Sequence, residues 1–196
     1  NFTALKKLLL SILLGTAALG LQAQTYCTPS YTTGCTVGDD IDDVYIGSFQ
    51  DTGTGCTSSY YNVQTSDTVF IQQTAPTTIS FTSNYFTQYF AVWIDFNDDG
   101  DFDDSGEHLW SSPTNAWSST TGSITVPSTV SLGSYRLRVR SKYSAVITAT
   151  QSCSSFTYGE VHDYTTTITA PPACPAPVFA SLIATDTTAT LSWTSA

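Results

Sequence analysis

The sequence predicts an all-β chain: a two-sheet antiparallel β-sandwich, jelly-roll or immunoglobulin-like, over residues 25–170, with an EF-like acidic loop and two further strands beyond a proline-rich break. Three observations predict it. From Thr25 the chain is rich in Ser, Thr, Tyr, Val and Ile, which suit a pleated, half-buried surface. Gly, Asn, Asp and Pro cut these runs at the short intervals of turns. No apolar period of about 3.6 residues follows residue 24.

The first 24 residues differ. In "LKKLLLSILLGTAALGLQAQ", Lys6 and Lys7 precede an apolar run and a small-residue end, the pattern of a secretory signal peptide. The run from Leu8 to Leu14 and its weaker extension fall short of the ~20 apolar residues that span a bilayer. Gln24, Thr25 and Tyr26 lack the small residues that precede a lipid-anchored cysteine, so no membrane insertion is expected after cleavage. Asn1 as first residue, with no Met in the chain, is read as a fragment beginning inside a longer reading frame. The whole chain has a formal charge of -10, and cleavage leaves four cations against 16 anions. Nucleic acid and anionic membrane surfaces are thereby excluded as expected partners.

Eight strands are expected in order: "DDVYIGSF" (42–49), "SYYNVQT" (59–65), "TVFIQQ" (68–73), "TTISFTS" (77–83), "QYFAVWIDF" (88–96), "SITVPS" (123–128), "YRLRVRSKY" (135–143) and "HDYTTTIT" (162–169). In the fifth, Phe90, Val92 and Ile94 share one face, and Ala91, Trp93 and Asp95 the other.

That strand runs into "IDFNDDGDFDDSGEH", with seven carboxylates in fifteen positions. Calcium takes about six to eight hard oxygen ligands, and D-x-N-x-D-G supplies three side-chain oxygens around a tight turn. Gly100 supplies the backbone freedom of that turn. The expected ligands are Asp95, Asn97, Asp99, Asp103 and Glu107, with Asp101 through its carbonyl. Glu107 stands one residue beyond EF-hand register, so the loop is EF-like on a β scaffold. A structural sodium or magnesium ion, or a solvated acidic turn, are the alternatives.

Arg136, Arg138, Arg140 and Lys142, all the cations after residue 24, alternate with Tyr135, Leu137, Val139 and Ser141, which places them on one strand face. They are expected either to pair internally with carboxylates, Glu160 and Asp163 being the obvious partners, or to form a stripe for an acidic glycan. Tyr60, Tyr61, Tyr85, Tyr89, Trp110 and Trp117 lie near expected turns, where they can stack on sugars or a protein partner. Core packing is their competing use.

Cys27, Cys35, Cys56, Cys153 and Cys174 match no zinc spacing and read as disulfides of an oxidising compartment, with one left over. No G-x-S-x-G or H-E-x-x-H occurs. His162 and Asp163, as strand neighbours, face opposite ways. The chain is expected to be non-catalytic, paired-carboxylate glycoside hydrolysis being the enzymatic alternative.

"GEVHDY" (159–164), the opening Tyr26-Cys27, Trp93 to Phe102, and Arg138 to Arg140 together resemble, in order, the signature of the GEVED domain. His162 stands where that signature has its second Glu. The resemblance covers about Thr25 to Ala170 and implies a calcium-associated β-sandwich from a secreted or surface protein of Bacteroidetes-type, Gram-negative bacteria. It further implies Cys27 paired with Cys153, leaving Cys35 with Cys56 and Cys174 unpaired or bonded elsewhere.

"APPACPAPVF" breaks the pattern, since its prolines remove backbone donors; residues 171–177 are read as a linker. The segment 178–196 resembles the first two strands of a fibronectin type III domain. Three functions fit the sequence: a calcium-stabilised module that binds glycan or a surface protein, a subunit that assembles with copies of itself by strand complementation, and an accessory domain of a longer secreted hydrolase.

Overall fold

The structure, a computed structural model, describes residues 25–115, 119–172, 178–184 and 187–194. The expected signal peptide, Trp117, Cys174 and most of the expected linker lie outside the described residues. In chain order the strands are β1 (Tyr31–Gly34), β2 (Asp43–Ile46), β3 (Phe49–Asp51), β4 (Tyr61–Gln72), β5 (Thr77–Thr82), β6 (Gln88–Ile94), β7 (His108–Ser111), β8 (Ser119–Ile124), β9 (Gly133–Tyr143), β10 (Phe156–Tyr158), β11 (Val161–Thr169), β12 (Val178–Ala184) and β13 (Ala189–Thr194). A 3-10 turn, Ala149–Gln151, precedes β10.

Several expected runs take a different form. "DDVYIGSF" holds two strands, because Gly47 at φ 60° turns the chain and lets Ile46 pair with Phe49. "SYYNVQT" and "TVFIQQ" fuse into the long β4. Along its parallel partner the register jumps from Tyr164 opposite Gln64 to Thr165 opposite Thr68, so the polar residues 65–67 bulge out rather than turn. The strand expected at 123–128 lies earlier, at Ser119–Ile124. Past it, Pro127 has no amide to donate.

Two sheets form the sandwich, ordered β3-β2-β5-β8 and β4-β11-β9-β6-β7. All pairings within them are antiparallel except β11 with β4, and a small separate β1-β10 pair is also parallel. Between the sheets, Val44, Ile46, Ile79, Phe81 and Ile124 from one meet Phe90, Val92, Ile94, Leu137, Val139 and Tyr164 from the other, all buried. This is the main core, and the alternation seen in the sequence directs it: even residues of β6 and odd residues of β9 point inward.

The other face of the five-stranded sheet is covered too. Ala91, Trp93, Phe102, Ile147 and Phe156 make a second buried cluster, with Tyr26 and Tyr31 of the N-terminal segment packed against it. Strands β12 and β13 pair antiparallel with each other.

Candidate functional site

The acidic loop joins β6 to β7, and its two ends are tied by Ile94 N donating to Glu107 O at 2.9 Å. Asp95 is fully buried and accepts through both oxygens: Oδ1 from the amides of Asp98 (2.7 Å) and Asp99 (3.3 Å), Oδ2 from the Gly100 amide (3.0 Å) and the Tyr26 hydroxyl (2.7 Å). Glu107, also buried, accepts from Phe96 N at 2.9 Å and Asp104 N at 3.3 Å. Burial is the larger influence on the Glu107 carboxyl and holds it above the usual value, against the pull of those amides. Asp95 and Glu107 therefore shape the loop from within. Positive φ at Asp98 (59°) and Gly100 (96°) completes the turn.

Other carboxylates of the loop face outward. Asp99, Asp101 and Asp104 are exposed, and one oxygen of each lies within 4.8 Å of the others. Oxygens at about 2.3–2.6 Å from one calcium ion are at most roughly 5 Å apart, so this spacing can hold a cation. Asn97 reaches the same place, its Nδ2 donating to Asp99 Oδ2 (2.8 Å) and Asp104 Oδ2 (2.6 Å). Asp103 turns away and accepts from Ser152 Oγ at 3.2 Å. Of the residues expected as ligands, the structure thus groups Asn97, Asp99 and Asp101, and adds Asp104. The alternation of the motif hid Asp104, since residue 104 breaks the odd-numbered series; only the turn over residues 103–107 brings it round.

Behind the loop lies a layer of cations and rings. Arg138 is buried and forms two bonds with Asp163, Nε to Oδ1 at 2.7 Å and Nη2 to Oδ2 at 2.8 Å. It also donates to the carbonyls of Cys27 (2.9 Å) and Ser152 (3.2 Å), and its guanidinium sits 4.7 Å from the Phe102 ring centre. Burial works against its charge, but Asp163 outweighs burial and raises its proton affinity. Among the described residues Arg140 has no carboxylate in ion-pair contact. It donates to Gln151 O, to Ser154 O at 2.8 Å and to Tyr31 Oη, and lies 4.2 Å from the centre of the Phe156 ring. Burial lowers its proton affinity. Half-buried Arg136 covers Tyr26 at 4.9 Å, and Lys142 covers Phe156 at 4.5 Å. The stripe expected from the alternation is thus stacked against aromatic rings, with its two central arginines, Arg138 and Arg140, fully buried.

Glu160 immediately precedes β11 and has no arginine among its described contacts. It accepts from Ile41 N (3.0 Å), Thr57 N (2.8 Å) and Thr57 Oγ1 (2.6 Å), tying the chain before β2 to the chain before β4. His162 Nε2 is 3.4 Å from Glu160 Oε2, within ion-pair reach but without hydrogen-bond geometry. Its Nδ1 meets Tyr164 Oη at 2.9 Å.

Disulfides join Cys27 to Cys153 and Cys35 to Cys56. The first clamps the N-terminal segment to the loop over Arg138. Among the aromatic candidates, Tyr61 belongs to the arginine layer: its hydroxyl donates to Asp163 at 2.7 Å, and burial followed by that carboxylate pushes its pKa up to about 12. Tyr60 covers Gly34 so closely that a Cβ there would lie 2.3 Å from the ring. Trp110 packs on Phe81 and Gly122. A His-Ser pair, His108 Nε2 to Ser111 Oγ at 2.8 Å, stands at β7, but the serine hydroxyl donates to Ile147 O at 2.6 Å and so is not offered to the imidazole.

Residues 89–167 match the GEVED domain family, a span running from β6 through the acidic loop and the arginine strand to β11. No curated protein matches the chain in sequence.

Proposed function

We propose that this chain is a non-catalytic binding module, stabilised by calcium and disulfides, that works outside the cell at a bacterial surface and holds a glycan or a surface protein there. The observation that carries the reading is the division of labour in the acidic loop. Asp95 and Glu107 are engaged by the loop's own backbone, while Asp99, Asp101 and Asp104 converge at its rim. Three carboxylates so close repel one another, and a divalent cation would turn that repulsion into cross-linking. Rotating the Asn97 amide by half a turn would present its Oδ1 to the same ion. The two disulfides suit an oxidising compartment, and the GEVED match supports an extracellular module. The engaged hydroxyl of Ser111 supports a non-catalytic role.

Calorimetry of the chelator-treated chain tests the calcium part. Calcium at a hundredfold excess over its dissociation constant should stabilise by about 2.7 kcal/mol and raise the melting temperature; an unchanged melting temperature rejects it. A glycan array and a surface-protein overlay in calcium buffer test the binding part.

A second reading is assembly from copies of the chain. The β12-β13 pair favours it, since neither strand is joined to another described strand and both can add to a neighbour's sheet. Light scattering that shows a single monomeric species across concentration would sink this reading.

A further inference from the structure

Beside the C-terminal end of β9 lies a cavity of about 160 Å³, lined by Val37, Asp39, Tyr85, Tyr143 and Tyr158. Three of its walls are phenol rings set at angles to one another. Tyr143 lies 6.1 Å from Tyr85 with their planes 54° apart, and 5.8 Å from Tyr158 at 73°. A flat sugar stacks on a single exposed ring face. Rings inclined around a small cavity offer it no flat platform but several π-systems within reach of one compact group, which suits a small cation; one face of Tyr85 is already taken by Phe86, stacked at 4.5 Å.

The charge at this cavity agrees. Asp39 is 2% exposed and, among the described residues, has no ion-pair partner. Its Oδ1 accepts from Gln88 Nε2 at 2.5 Å, and Gln88 Oε1 is itself buried without a partner. Neighbouring Asp40 is engaged elsewhere, by Ser83 and Asn84. Lys142, the nearest cation in sequence to Tyr143, points to the other face of β9 and covers Phe156. Burial raises the Asp39 carboxyl above its usual range, the condition of an anion without a counter-ion.

We propose that Asp39, Tyr85, Tyr143 and Tyr158 form a cage for an alkylammonium group, either a lysine side chain or a quaternary ammonium headgroup, with the carboxylate as counter-ion and the rings as walls. The inference rests on the reading of the chain as a binding module and names the chemistry of its ligand. The strongly acidic chain draws cations toward this site at low ionic strength.

The test is an NMR titration of the calcium-loaded chain with choline, with its uncharged isostere 3,3-dimethylbutanol, and with Nα-acetyl-lysine methylamide. Choline or the lysine amide should shift the Tyr143 and Tyr158 resonances saturably while the isostere does not, and the tighter of the two identifies the source. Tyr143→Leu, which keeps apolar area but loses the ring, should weaken binding about tenfold, and Tyr143→Phe should retain it. Because Asp39→Asn alters a buried group, its binding is read only with a melting curve that shows it folded. Equal shifts from the isostere reduce the site to an apolar pocket and overturn the cage. Shifts from a neutral oligosaccharide alone also overturn it while leaving the binding-module reading intact, and that reading falls only if the array and the overlay find nothing as well.

Discussion

Arg138 and Asp163 face each other across the paired strands β9 and β11, joined by two bonds of 2.7 and 2.8 Å, and neither side chain has exposed surface. Such a pair adds little over a well-packed apolar pair, because desolvation consumes most of the attraction, but removal of one partner leaves the other charge stranded. Asp163→Asn should therefore destabilise the fold by about 3–5 kcal/mol, seen as a lower urea midpoint. A double Arg138→Met, Asp163→Leu variant should lose less than the single change. If the double is worse, packing of the guanidinium on Phe102 outweighs the charge.

The Cys27–Cys153 bond closes a much longer stretch of chain than Cys35–Cys56, with a sequence separation of 126 against 21. Restriction of the unfolded chain grows with loop length, so losing the first should cost more within a range of about 2–5 kcal/mol. The first bond also holds the Cys27 carbonyl against Arg138. Paired Cys→Ser variants, compared by thermal melts, check the order.

The sequence shows the two faces of β6 and β9 plainly, because every second residue changes character and a strand has no other way to bury such a pattern. It does not show that the charged face is also covered, with Arg138 and Arg140 buried. That depends on Tyr26, Tyr31, Phe102 and Phe156 arriving from three separate segments to cover it, and no local period records such an encounter. The acidic loop is legible as a turn with Asp95 and Gly100 in place, yet which carboxylates look outward depends on how the chain bends after Phe102. The strands β1, β7 and β10 are too short to carry a period at all.

Gly159 illustrates a constraint that the signature contains without explaining. It sits at φ 130°, and a Cβ there would lie 2.2 Å from the Ser141 carbonyl oxygen, a backbone atom that cannot swing aside. Gly159→Ala should cost at least about 3 kcal/mol, beyond the ordinary range for one substitution. Gly53→Ala makes the comparison: φ is 65° there with nothing within 4 Å, so only the conformational penalty of about 1–2 kcal/mol applies. Equal losses in urea melts would show that steric contact at Ser141 is not the cause.

Glu160 links the signature to pH. Burial, the largest influence, pushes its carboxyl up, but His162, Thr57 and the Ile41 amide together outweigh it, so the folded value lies below the ordinary one. An acid depressed in the folded state contributes stability that is present above its unfolded pKa, near 4.3, and lost as pH falls through the folded value. Asp39 and Glu107, raised by burial, act the other way: their contribution is present below the unfolded value and lost as pH rises through the folded one. Acidification below about pH 4.3 should therefore remove the Glu160 contribution while relieving the other two. Glu160→Gln should lower stability at pH 7 by about 1.5–3 kcal/mol, since an amide nitrogen would face donors at Ile41 and Thr57. Between pH 5 and 3 its melting temperature should then fall less than that of the parent, or rise, as Asp39 and Glu107 take up protons. A variant whose melting curve tracks the parent across that range would show that the acid sensitivity resides elsewhere.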